Sequence, residues 1–202
     1  MQDLFGRVIA SCDRALGIVE NGLNLVAGTL IFVLMLLGVA QIVMRTVFSA
    51  PIFGYIDIVE VAMVGFAVVS IAYVQRVGGH VRMELLISRL KGRWLWVAEL
   101  TSAGLAAFIV AVLIPYSYQH FERAFEFGDS TIDIELATWP AKLAVPLALT
   151  VLLVRLGVQI AGYLRLVLHP DLAPVAVPTI KDAAALAADE ISLASGGRDD
   201  SR

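Results

Sequence analysis

From Asn21 to Met44 the chain runs for 24 residues without a charged side chain. As a helix this is about 36 Å, enough to cross a hydrocarbon core of about 30 Å. Backbone amides left unpaired in that layer would be costly, so helix is the expected form. A cleavable signal peptide has an apolar core of only about 7–15 residues, followed by a small-residue cleavage site. This run is longer and ends at Arg45-Thr-Val-Phe. It reads as a retained membrane helix.

Three more runs follow. Val61–Gln75 is apolar and is extended outward by Ile56 and Ile58. Leu100–Phe121 has 22 residues without charge. The fourth starts near Trp139 and continues to about Leu164, interrupted by Lys142 and Arg155, whose stems can snorkel. The chain is 59% hydrophobic and 16% charged, against about 45–50% and 25% in soluble domains. Its 202 residues are too few to bury so much apolar surface in a water-soluble core. The expected fold is an all-α integral membrane protein with four transmembrane helices, at about 21–45, 56–76, 97–121 and 139–165. No soluble domain and no internal repeat is visible.

The charges orient these spans. Of 15 Lys and Arg, 12 fall in the N-terminal segment, the second connection and the stretch from Arg155 onward; Arg45, Arg123 and Lys142 lie on the other side. The positive-inside rule then puts both termini in the cytoplasm. The formal net charge of −3 carries little weight, because Glu122, Glu126, Asp129, Asp133 and Glu135 all gather in the third connection.

Two amphipathic segments are expected at the inner membrane surface. In residues 1–20, Phe5, Val8, Ile9, Cys12, Leu16 and Val19 share a face, with Arg7, Ser11 and Arg14 opposite. Between helices two and three, Met83, Leu86, Ile87 and Leu90 repeat the pattern, followed by Trp94 and Trp96 at headgroup level. Residues 169–202 read as a largely disordered cytoplasmic tail broken by Pro174 and Pro178. The lone Cys12 has no disulfide partner and reads as a small apolar side chain, kept reduced in the cytoplasm.

Few residues suggest chemistry. Asp57 and Glu60 sit three apart at the outer start of helix two, and an intramembrane carboxylate is a candidate proton or cation site. The plainer expectation is an ion pair of Glu60 with Arg45, which ends helix one on the same side. His80, His120 and His169 lie in connections or at helix ends, which suits neither a haem between helices nor a zinc site. No catalytic constellation, cofactor site, metal site or phosphate loop is present, so an enzyme is not expected. Nothing indicates nucleic-acid binding. In Arg76-Val-Gly-Gly-His80-Val-Arg82, two glycines end helix two and the cations point to the interface. Ala103, Ala107 and Ala111 form a small-residue stripe suited to close helix approach. No charge pair deep in the membrane is apparent, which leaves little for a solute to hold.

The block Arg45-Thr-Val-Phe-Ser-Ala-Pro51, Asp57-Ile-Val-Glu60, an apolar helix, and Arg76-Val-Gly-Gly-His80-Val resembles the small membrane subunit, DctQ, of TRAP (tripartite ATP-independent periplasmic) transporters. The later Trp139-Pro140 and Pro146 also look like that family, whose fourth helix begins with Trp and has a Pro a few residues on. Tyr55-Ile-Asp departs from it, since the family often has a Trp and a second acid nearer the Glu. The resemblance covers about residues 15–168. It implies a bacterial inner-membrane subunit in the lipid bilayer that braces a large, sodium-coupled membrane subunit. A periplasmic solute-binding protein would deliver an organic acid for symport. It marks Arg45, Asp57, Glu60, His80, Arg82, Trp139 and Pro146 as structural or partner-contact residues. The alternatives are a small proton-coupled exporter, working as a homo-oligomer through Glu60, and a membrane enzyme or redox subunit.

Overall fold

The computed structural model describes residues 2–77, 93–168 and 176–177. The chain is helical: α1 (Gln2–Val47), α2 (Tyr55–Val69), α3 (Ile71–Val77), α4 (Arg93–Phe127) and α5 (Trp139–Leu168). Among the described residues the only extended pairing is one isolated bridge, Ser130 with Ala137. Four helical stretches are long and apolar enough to cross a membrane: Gly6–Val47, Tyr55–Val77, Leu95–Phe127 and Trp139–Leu168. Tyr55–Val77 comprises α2 and α3. Ser70 interrupts it, and its hydroxyl bonds back to the Phe66 carbonyl at 3.2 Å, a habit of Ser that bends helices. His80, Arg82, the amphipathic segment around Met83–Leu90 and nearly all of the tail lie outside the described residues.

Residues 3–20 and the first span, expected as separate segments, form one helix of 46 residues, about 69 Å long. The face that α1 turns to the bundle also differs from the apolar face read from the sequence. Gly6, Ile9, Gly17 and Glu20 are buried and Asp13 is half-buried, whereas Val8, Cys12 and Val19 are exposed. The inward stripe therefore carries two acids, for a reason given below.

The last helix is the centre of the molecule. It packs against α4, against α2 and α3, and against α1. In its most apolar window 39% of the residues are buried, against 6% in that of α1. The core is Ala72 of α3, Val110 of α4, and Leu149, Leu152 and Leu156 of α5. On α4 the packed face is Ala103, Ala107, Val110 and Ile114. The small-residue stripe contributes its first two members, and Ala111 is exposed.

Both connections at the loop end, 48–54 and 128–138, are tightly tied. In the first, the Ile52 N–H donates to Gln41 Oε1 at 2.7 Å and the Ala50 N–H to the Met44 carbonyl at 3.1 Å. Gly54 then adopts φ 74°, and a Cβ there would overlap Ile134 Cγ2 of the other connection. Only glycine meets both demands. Gly54→Ala is expected to cost about 2–4 kcal/mol, from a left-handed backbone plus overpacking. Thermal unfolding of the variant in detergent checks this, and adding Ile134→Ala should recover the steric part alone.

Candidate functional site

Two polar clusters stand out, one at the loop end of α5 and one just past its midpoint. At the loop end, Asp57 in the first turn of α2 is 4% exposed. Its Oδ2 accepts hydrogen bonds from Thr131 Oγ1 (2.7 Å), the Asp133 N–H (3.1 Å) and the Ile134 N–H (2.8 Å). Thr131 Oγ1 also accepts from the Leu136 N–H at 2.9 Å, and the Thr131 N–H donates to the Leu136 carbonyl at 3.0 Å. One carboxylate in span two thus holds the connection between spans three and four. The held loop presents Ile132, 96% exposed.

Lys142 fastens the same loop from α5, donating to Asp129 Oδ2 at 2.7 Å. This contact holds the Asp129 carboxyl below its usual range, partly opposed by desolvation and reinforced by His120 and Arg123. A depressed carboxylate pKa stabilises the fold fully above the unfolded value of about 3.9 and loses that contribution as pH falls through the lower folded value. The Lys142→Met variant should therefore lose less stability than the native chain on acidification through about pH 4. Parallel melting curves across that range check this.

Arg45 and Glu60 do not form the expected pair. Both are exposed, and no salt bridge joins them among the described residues. At an accessible helix end nothing forces pairing, because exposed ion pairs are worth little. Asp57, one turn earlier, is the carboxylate that the fold buries. Trp139 begins α5, 37% exposed, with its ring edge-on to Phe125 at 5.7 Å. Phe125, Phe121 and Tyr118 continue this ladder along α4, as an interfacial aromatic belt would. Pro146 is buried within α5, and its carbonyl accepts from Thr150 Oγ1 at 2.7 Å.

The second cluster joins α1, α3 and α5. Arg155 is 2% exposed and hydrogen-bonds Asp13; its Nε is 3.7 Å from Glu20 Oε1. Glu20 is fully buried, with Arg76 Nε 3.3 Å from its Oε2. Arg76 also bonds Asn21 and lies over the Tyr73 ring at 5.1 Å. Gln75 Nε2 donates to Gln159 Oε1 at 2.9 Å. Gly17 leaves the space that Arg76 crosses; a Cβ there would be 2.5 Å from its Nη1. The expectation of no charge pair within the spans is corrected here. Arg155 is about 24 Å along α5 from Trp139, and two acids of α1 neutralise it. Sequence reading treated Arg155 as an interruption. The usable signal was that a cation inside an apolar run needs a partner, and that Asp13 and Glu20 sit seven apart on one helix. Among the described residues no group of three His, Cys, Asp or Glu could hold a metal ion.

Four membrane-crossing stretches, three of them packed around the fourth, α5, with latched loops and an internal ion network, define a multi-pass membrane protein. The family model described as "Tripartite ATP-independent periplasmic transporters, DctQ component" matches residues 34–166, and the chain belongs to this family. It is a TRAP transporter small component and not an enzyme. No curated protein matches the chain. The matched segment contains Asp57, Arg76 and Arg155, but begins after Asp13 and Glu20.

Proposed function

We propose that this chain braces the large membrane subunit of a sodium-coupled TRAP symporter in a bacterial inner membrane. A periplasmic binding protein would deliver an organic acid to the large subunit. The termini would be cytoplasmic and the two latched loops periplasmic, as the Lys and Arg distribution requires. Family membership carries the reading. The meagre burial of α1, α2–α3 and α4 agrees with it: 6%, 11% and 17% of their apolar windows are buried in the isolated chain, which leaves ample surface for a large neighbour.

The test is reconstitution. The small subunit alone in proteoliposomes should move no organic acid. Uptake should appear when the large subunit, the binding protein and a sodium gradient are added. Robust uptake by the small subunit alone would reject the accessory role.

A further inference from the structure

We propose that the groove between α1 and α3 binds the phosphodiester of an anionic phospholipid, held by Arg14, Asn21 and Arg76. The site requires only that α1 crosses a bilayer, so it stands apart from the accessory role above. The groove holds about 440 Å³. Asp13, Arg14, Gly17, Ile18 and Asn21 line it from α1, and Arg76 lines it from α3. Gly17 has no side chain to fill the space, and Arg76 Nη1 lies across it.

The donors of this groove call for an anion. Arg14 is exposed, with no ion pair among the described residues. Arg76 gives its Nη2 to Asn21 Oδ1, and its Nε lies 3.3 Å from Glu20. Its Nη1 is left with no acceptor among the described residues. Asn21, with its oxygen engaged, keeps its NH2 group for donation. Asp13, the one carboxylate in the groove, is bonded to Arg155. Together with the cluster beneath, the guanidinium groups of Arg14, Arg76 and Arg155 meet only the carboxylates of Asp13 and Glu20, a surplus of one positive charge. A phosphodiester carries one negative charge, and its oxygens match the arginine fork. Depth selects a lipid over a free anion. The uncharged run begins at Asn21, and Gly17 lies about 6 Å before it along the helix. A headgroup layer of about 5–8 Å flanks the hydrocarbon core on each side, so the groove opens at phosphate level. Deeper along α1, Ile18 and Leu25 are 71% and 72% exposed. They share a face with the bare Gly22 between them, which gives an acyl chain its track. Basic pockets between membrane helices are recurrent sites for phospholipid headgroups.

The test is native mass spectrometry of the full-length chain, released from detergent after addition of phosphatidylglycerol, phosphatidylcholine or inorganic phosphate. Phosphatidylglycerol should be retained severalfold over phosphatidylcholine, and excess inorganic phosphate should not displace it. Arg14→Gln and Asn21→Leu should each lower its retention severalfold. Both positions are exposed, so neither change threatens the fold. Arg7→Gln removes the same charge from an exposed position outside the groove and should leave retention unchanged. Equal losses in Arg7→Gln and Arg14→Gln would reduce the effect to diffuse attraction and overturn the site. Displacement by inorganic phosphate would make it a free-anion site, and equal retention of phosphatidylcholine would deny the charge match; either result sinks the proposal. In the complex with the large subunit the lipid should remain bound. Its loss on assembly would assign the groove to that subunit and equally overturn the proposal.

Discussion

Replacing Arg155 with Met should lower the stability of the isolated subunit by about 3 kcal/mol. Removing one partner from a buried ion pair typically costs about 3–5 kcal/mol, because the remaining charge is left uncompensated. The lower end applies here, since Asp13 is 33% exposed and can turn to water. Glu20 cannot, because it is fully buried. The penalty therefore belongs mainly to Glu20, which keeps only Arg76, 3.3 Å from its Oε2, and Arg155→Met combined with Glu20→Gln should recover part of it. Apparent melting temperatures of native, single and double variants in detergent measure this. A single variant that melts like the native chain, or a double variant worse than the single, would show that the cluster does not hold α1 to α5.

Removal of the Asp57 carboxylate should free the 128–138 loop while leaving the helices in place. In Asp57→Ala the Asp133 and Ile134 amides lose their acceptor. Their hydrogen exchange should accelerate by on the order of tenfold or more, the factor one charge-assisted hydrogen bond supports. Exchange in the middle of α4 and α5 should be unchanged. Asp57→Asn keeps a carbonyl acceptor and should fall between. If the accessory role holds, the loosened loop should also lower uptake by the reconstituted transporter. Glu60→Gln should do neither, since Glu60 is exposed and forms no salt bridge among the described residues. Loss of sodium dependence in Glu60→Gln would instead restore that carboxylate as a coupling site.

The uncharged runs were sufficient to place four membrane-crossing helices, because a hydrocarbon layer admits few other conformations of the backbone. The landmarks Arg45, Asp57, Glu60, Trp139 and Pro146 were sufficient to suggest the family that the matched segment then established. Their pairings were not legible. Proximity along the chain favoured Arg45 with Glu60, whereas burial decided for Asp57, since a carboxylate 4% exposed must find donors. Asp13 and Glu20 lie more than a hundred residues from Arg155 along the chain, and their meeting with it depends on α5 standing at the centre of the bundle. The face that α1 turns to the bundle was not legible for the same reason. Apolar periodicity selects the face that avoids water, but α1 meets an arginine on its neighbour, and only the packed helices reveal that its acids are the side to bury. Local composition thus fixed which segments are helical and immersed. Which faces meet depended on neighbours distant in sequence, and only the tertiary structure supplied them.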